Sequence, residues 1–156
     1  MSDTDVINLL SSKMVLALTL WAEARGEPIE GQIAVGCVIR NRLKNPEQFR
    51  ASEATYPAIC LAPKQFSCWI PNGGEANHDT LMRQARKLVN GAPITDVHLK
   101  QSLWIAEGIV GNVLLDNTNG ATHYFAPAAM IPAGRIPKWA MNKASTTIGS
   151  QRFLRA

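Results

Sequence analysis

Acidic residues are absent from the last quarter of this 156-residue chain: from Asn117 to Ala156 there is none, while Arg135, Lys138, Lys143, Arg152 and Arg155 all stand there. Cysteine is scarce as well. Cys37, Cys60 and Cys68 occur without a CxxC or His-x-x-x-His spacing, which excludes a zinc site and a disulfide-built miniprotein. Cys60 and Cys68 can meet across a short loop in an oxidising compartment, and Cys37 among Val35, Val38 and Ile39 reads as core packing. No apolar run reaches the roughly 20 residues that a membrane-spanning helix needs. The longest, Met14 to Ala22, is followed by Ala22-Glu23-Ala24, an imitation of a leader cleavage site. Asp3 and Asp5 with only Lys13 in front of that run do not make the positive start a leader requires, so a product made in the cytoplasm is expected. Repeats, low-complexity tracts and linkers are also missing. One domain over 1–156 is expected, with a 46% hydrophobic content sufficient for its own core.

What is present is mostly helical pattern. Ser11 or Ser12 can cap a helix that runs to about Ala24, with Gly26 as a left-handed stop. Its apolar residues surround the axis, so it is buried on nearly all sides. A second helix starts at Pro28, carries Glu30 at its positive end and Arg40, Arg42 and Lys44 at its negative end, and stops at Asn45-Pro46. Ile29, Ile33, Ala34, Cys37 and Val38 share the face expected to meet the first helix, and Asn41 continues it as a satisfied amide. Gln65 to Trp69 is the only plausible strand between Phe49 and Gly74. Further helices are expected from Asn77–Asp79 to Asn90-Gly91 and from Val97 to Val110. Extended segments follow at Ala121–Phe125 and Thr146–Leu154. The sum is an α+β domain, mainly helical with a small antiparallel sheet.

Glu23 is the residue that needs an explanation. It closes a helix otherwise apolar all round, where burial and the negative end of the helix dipole both favour the protonated carboxyl. A neutral carboxyl near pH 7 is what a glycosidase general acid requires. The alternatives are a surface glutamate paired with Arg25 or Lys13, and a buried carboxylate held by backbone amides for structure alone.

Trp21-Ala22-Glu23-Ala24-Arg25-Gly26-Glu27, Glu30-Gly31-Gln32-Ile33-Ala34-Val35 and Ile39-Arg40-Asn41-Arg42 open an ordered series of blocks. Gln65-Phe66-Ser67-Cys68-Trp69, Thr118-Asn119-Gly120-Ala121-Thr122-His123-Tyr124, Pro137-Lys138-Trp139 and Ile148-Gly149 continue it. Together they resemble the SleB-type cell wall hydrolases, the family named for spore-cortex-lytic enzymes, from about Leu16 to Phe153. The resemblance implies a lysozyme-like fold acting on peptidoglycan glycan strands, with Glu23 as the catalytic acid. It also implies lytic transglycosylation between N-acetylmuramic acid and N-acetylglucosamine, which leaves a 1,6-anhydromuramyl end. Hydrolysis by a muramidase is the alternative, and a non-catalytic glycan-binding or phage structural protein of the same fold is another. The family's last block often carries a histidine where this chain has Gln151, and no catalytic role is assigned there.

Transglycosylation uses one carboxyl twice, whereas hydrolysis usually needs two. Glu27, Glu30 and Asp116 are the nearest second carboxyls by motif, and Glu27 reads as support for the site or as a second acid. Alternation along the Gln65–Trp69 strand would aim Gln65, Ser67 and Trp69 into a sugar cleft, Trp69 as a stacking platform or as core. Thr122, His123 and Tyr124 are further cleft candidates; Trp21 is core, and Trp104 and Trp139 stay open. No cofactor or metal is expected. The net charge of +4 and the acid-free segment suit anionic envelope polymers. Arg40, Arg42 and Lys44 complement a helix end and are not interleaved with aromatics, so no nucleic acid partner is expected. A monomer resembling a phage endolysin, made in the host cytoplasm and acting on the wall after release, completes the reading.

Overall fold

The packing of one apolar helix sets the architecture. In the computed structural model, which describes residues 1–71 and 77–156, α2 (Ser12–Ala24) buries Val15, Leu16, Ala17, Leu18, Thr19, Leu20, Trp21 and Ala24. Residues at every angle around the axis are enclosed, as its lack of an amphipathic stripe predicts. Around it lie α3 (Ile29–Arg42), α4 (Tyr56–Cys60), α5 (Asn77–Val89) and α6 (Val97–Val110), with α1 (Asp3–Leu9) on the outer side of α5. Gly36 lets α3 and α6 approach closely, because a Cβ there would fall 2.9 Å from Ile109 Cγ1. Three short strands, β1 (His123–Phe125), β2 (Thr146–Ile148) and β3 (Gln151–Leu154), form an antiparallel sheet in the order β1-β3-β2. The domain is therefore mainly helical with a small antiparallel sheet. Among the described residues no single helix is long and apolar enough to cross a membrane.

Local chemistry explains most boundaries. Ser11 Oγ accepts from the Met14 amide and starts α2, and Asp96 does the same for Leu99 at the start of α6. α3 begins after Pro28 and ends just before Asn45-Pro46. Its buried residues include Ala34, Cys37 and Val38 as expected, but Ile33 is only half-buried and Ile29 is 44% exposed at the helix start. Asn41 donates to Asp116 Oδ2 and the Ala121 carbonyl.

Four further points differ from the sequence reading. α1 was not apparent in the pattern, since Val6 is its only buried residue; a reciprocal Ser2–Asp5 capping box carries its start. α2 ends on Arg25 in a right-handed conformation, with the Glu27 amide donating to the Ala24 carbonyl, so Gly26 is not a left-handed stop. Gln65–Trp69 is no strand: after extended Phe66, Ser67–Trp69 make a 3-10 turn. Phe66, Cys68 and Trp69 are all buried by that turn, which ends the proposed alternation between cleft and core. Cys37, Cys60 and Cys68 are buried and outside any disulfide, so the Cys60–Cys68 bridge is not made.

Trp69 is 7% exposed, which leaves no ring face for a sugar. Its indole N–H donates to Thr19 Oγ1 at 2.9 Å inside the core, and that hydroxyl donates to the Val15 carbonyl. A buried donor without its acceptor costs about 1–3 kcal/mol. Thr19→Val, which keeps the volume and removes the acceptor, should lower unfolding free energy by that amount in a urea titration. Thr19→Ser should lower it by less.

Candidate active site

Glu23 occupies the last turn of α2 and is half-buried. The Arg25 guanidinium, its nearest cation in sequence, is turned elsewhere: it donates to the Trp21 carbonyl and to Asn77 Oδ1 and lies 4.1 Å over the Trp21 ring. Across from the helix, β1 contributes Tyr124. Burial pushes the Tyr124 phenol above its ordinary range, and the charge of Glu23 pushes it further in the same direction; Arg42 opposes both. Burial also pushes the Cys60 thiol up to about 12, with Glu23 again adding to the rise. Glu23 therefore lies close enough to Tyr124 and Cys60 for its charge to be felt at both, and the phenol stays a neutral donor through the physiological range.

Arg42 supplies the positive side of this site. It is buried at the end of α3, where its Nε donates to the Thr122 carbonyl at 2.9 Å and its Nη1 to Gln65 Oε1 at 3.2 Å. Its guanidinium lies 4.4 Å from the Phe49 ring centre and 5.6 Å from that of Phe66. Burial draws its pKa below the ordinary arginine value, partly offset by Tyr124 and Cys60. Charge patterning alone made Arg42 a helix-end cation; only the positions of Phe49 and Phe66 in space reveal an inward-turned one. Gln65 and Thr122 are thus brought to the site, but as the brackets that hold Arg42. Ser67 is half-buried on the 3-10 turn beside Trp69.

The sheet separates the remaining residues. Tyr124 stacks on its cross-strand partner Phe153 with ring centres 5.7 Å apart. His123 and Phe125, pointing the other way, meet Trp139 at 5.3 and 5.8 Å. His123 also faces Phe49, and its Nδ1 lies 2.9 Å from Thr122 Oγ1. Burial lowers its pKa, and Arg42 and Lys143 lower it further. His123 is therefore part of an aromatic wall on the opposite sheet face from Tyr124. Trp139, 40% exposed on that wall, has the free ring that Trp69 lacks. Trp104 is exposed on α6 and lines a separate apolar cavity of about 200 Å³ with Gly108, Val113 and Leu114.

Two of the other candidate carboxylates, Glu27 and Asp116, are engaged. Glu27 accepts from the Ser150 amide at 2.9 Å through Oε1 and from Ser150 Oγ at 2.7 Å through Oε2. Gly149, with φ of 60°, allows this, because a Cβ there would lie 2.7 Å from Glu27 Oε1. The Glu27 carbonyl in turn accepts from Gln32 Nε2. Asp116 organises a turn by accepting from Asn41, from Thr118 twice and from the Gly120 amide. Burial alone would raise the Asp116 carboxyl, but these bonds outweigh it and hold the group below its ordinary value. Glu30 is exposed in the first turn of α3. Gln151 is buried at the start of β3, its Oε1 without a partner among the described residues. No group of three or more His, Cys, Asp or Glu that could hold a metal occurs among the described residues.

Known proteins give this geometry a context. A family model described as cell wall hydrolase matches residues 26–154, beginning just after Glu23. The catalytic domain of a germination-specific lytic transglycosylase, SleB, from Bacillus anthracis superposes with a TM-score of 0.62 at 21% identity, covering 92% of this chain and 93% of that one. The catalytic domain of the Bacillus cereus SleB protein gives 0.57 at 22% identity, covering 92% and 89%. The lysozyme-like fold of these domains is thus the fold of this chain. A spore cortex-lytic enzyme of Bacillus subtilis is 56% identical over 32 residues, 20% of this chain and 10% of that protein, so the matched stretch spans a tenth of that relative. With most of its length matched by the family model, the chain belongs to the cell wall hydrolase family.

Proposed function

We propose that the protein cleaves peptidoglycan glycan strands between N-acetylmuramic acid and N-acetylglucosamine as a lytic transglycosylase. The observation that carries this reading is the Glu23 carboxyl held at the end of the buried helix α2, which among the described residues is the one carboxyl that acts on the Tyr124 phenol. The Glu23 carboxyl gives its proton to the glycosidic oxygen as the C1–O bond breaks, and the N-acetylglucosamine hydroxyl leaves. Positive charge develops at C1 of the muramic acid. The Glu23 carboxylate then takes the proton of that sugar's C6 hydroxyl while O6 bonds to C1, closing the 1,6-anhydro ring and restoring the acid. Neither step consumes water. Tyr124, kept neutral, can donate to an oxygen of the reacting sugar, and Trp139 offers a ring face to a neighbouring one.

Hydrolysis by two carboxyls would need a second one free to hold water or attack C1. Glu27 and Asp116 are instead committed to Ser150 and to the 116–121 turn. The fold shared with the germination-specific lytic transglycosylase of Bacillus anthracis supports the same choice. The exposed basic residues of 117–156 draw the enzyme to the anionic envelope, where it meets periplasmic or wall peptidoglycan after release.

Glu23→Gln should fold as the parent does and lose wall-degrading activity by about 100-fold or more, since general acid–base catalysis is worth at least that. Mass spectrometry of soluble fragments identifies the chemistry. Anhydromuramyl ends are expected, and reducing muramic ends would make the enzyme a hydrolase. Full activity in Glu23→Gln would remove Glu23 from the reaction.

Glu27→Gln and Ser150→Ala should each lower stability by about 1 kcal/mol, the usual worth of such a bond, and reduce activity only in part. A double-mutant cycle should find the two effects coupled. Activity lost as completely as at Glu23, with unchanged thermal unfolding, would make Glu27 a catalytic group. Sedimentation with purified walls should weaken as salt rises, because exposed charge is screened beyond about 8–10 Å.

A further inference from the structure

The acid-free C-terminal segment does not spread its charge evenly. Arg152 is occupied: its Nε and Nη2 both donate to Ser145 Oγ, and its guanidinium lies 5.6 Å from the Phe125 ring centre. Arg155 is placed differently. Its Nε donates to the Asn119 carbonyl at 3.1 Å, and it lies across Gly120, where a Cβ would stand 2.5 Å from Nη2. Gly120 has φ of 79° and no side chain, so the arginine can rest on the turn. Its other N–H groups find no acceptor among the described residues and remain available.

Seated there, Arg155 lines two adjoining cavities of about 460 and 360 Å³. Lys143 with Ser145 and Thr146 borders the first; Lys44 with Asn45 and Gln48 borders the second. A third cavity of about 370 Å³ continues past Lys44 to Asp116. Lys44 and Lys143 are exposed and form no ion pair with any described residue. The one side-chain acid on the groove, Asp116, is consumed by its own turn. Arg40, also on the third cavity, is spent on the carbonyls of Ile109 and Leu114. Three cations, with neutral amides and hydroxyls between them, thus line cavities where no side-chain acid of the described residues pairs with them; Ala156 lines the second beside Arg155.

The groove joins the candidate active site at its edge. Phe49 and Thr122 line the second cavity; Phe49 carries Arg42 and faces His123, and Thr122 holds Arg42 and precedes His123 and Tyr124 on β1. Lys143 is near enough to His123 to depress its protonation. Sugar rings call for aromatic faces, which lie at His123 and Trp139, whereas this branch offers cations and amides. The branch therefore suits an anionic, amide-bearing group and not a sugar ring.

Building on the proposed peptidoglycan cleavage, we infer that the Lys44–Arg155–Lys143 groove binds the carboxylates of the peptide stem carried by the muramic acid. The cations pair with the stem's carboxylates, and Asn45, Gln48 and Thr146 take its amides. A bare phosphodiester polymer would use the charges and leave those neutral groups without partners.

The test compares intact glycan strands with strands whose stems have been removed by an amidase. Wild-type enzyme should cleave the stem-bearing strands with kcat/KM about tenfold higher, the factor expected for one well-placed charged contact. The triple variant Lys44→Gln, Lys143→Gln, Arg155→Gln should cleave both at the stem-free rate, and Arg155→Lys alone should retain most of the preference. A soluble muramyl tripeptide, titrated by NMR, should shift backbone amides at 44–48, 119–122 and 143–146 in the wild type but not in the triple variant. Equal cleavage of both strands by wild-type enzyme, or a preference that survives in the triple variant, overturns the inference. So do shifts seen only with poly(glycerol phosphate). Tripeptide binding without cleavage of either strand would support the groove and sink the cleavage reading instead.

Discussion

Everything in this domain depends on α2 being surrounded. A helix buried on all sides cannot slide or rotate without exposing apolar surface at about 25 cal/mol per Å². Its few polar atoms are consequently tied: Thr19 to Val15 and Trp69, the Trp21 indole to Asp96, Arg25 back to the Trp21 carbonyl. The same constraint holds Glu23 at a fixed height and rotation at the helix end. A carboxyl that must first give and then take a proton gains from such fixity, because both transfers need hydrogen-bond distance.

The opposing wall is held by a different device. Glu27 follows Glu23 by one turn of chain and grips Ser150 at the start of β3. β3 pairs with β1 in the register that sets Phe153 against Tyr124. A short circuit of covalent and hydrogen bonds therefore runs from the acid to the phenol. The second glutamate of the motif acts on the distance between helix and sheet without needing to touch a sugar. On the proposed reaction, a motif with two glutamates then has one for proton transfer and one for holding this distance.

Much of this was legible in the sequence, and the remainder follows from what sequence patterns report. α2, α3 and α6 were readable because burial and capping write themselves into residue spacing: Ser11, Pro28, Asp96 and Gly111 stand where helices begin or end. Glu23 stood out because a carboxyl at the end of an all-apolar helix is anomalous. The Gln65–Trp69 segment failed because five residues of mixed polarity fit a strand and a 3-10 turn equally well, and periodicity cannot separate them at that length. Trp69 was readable as a stacking platform or as core, and Trp139 stayed open, for the same reason: composition gives a tryptophan its size but not its depth. Arg42 was hidden by Arg40 and Lys44, since three cations at a helix end look alike until Phe49 and Phe66 close over one of them.

If Glu23 acts as proposed, that difference among cations also explains how a basic protein can hold such a carboxyl near positive charge. Arg42 is the cation adjoining the Tyr124 phenol on which Glu23 acts, and it is shared among the Thr122 carbonyl, Gln65 and two aromatic faces. Its charge is thereby spread over neutral partners before it can bind the acid outright. The mobile, strongly hydrated lysines are kept out of this environment and stand instead along the exposed groove, with Arg155 fixed between them by the Asn119–Gly120 turn. Solvent there screens them from Glu23 while leaving them open to the carboxylates of a peptide stem. On the proposed reading, binding of anionic stems and control of a single proton would compete if they shared one set of charges. This fold assigns them to a buried arginine on one side of the sheet and exposed cations beyond its edge.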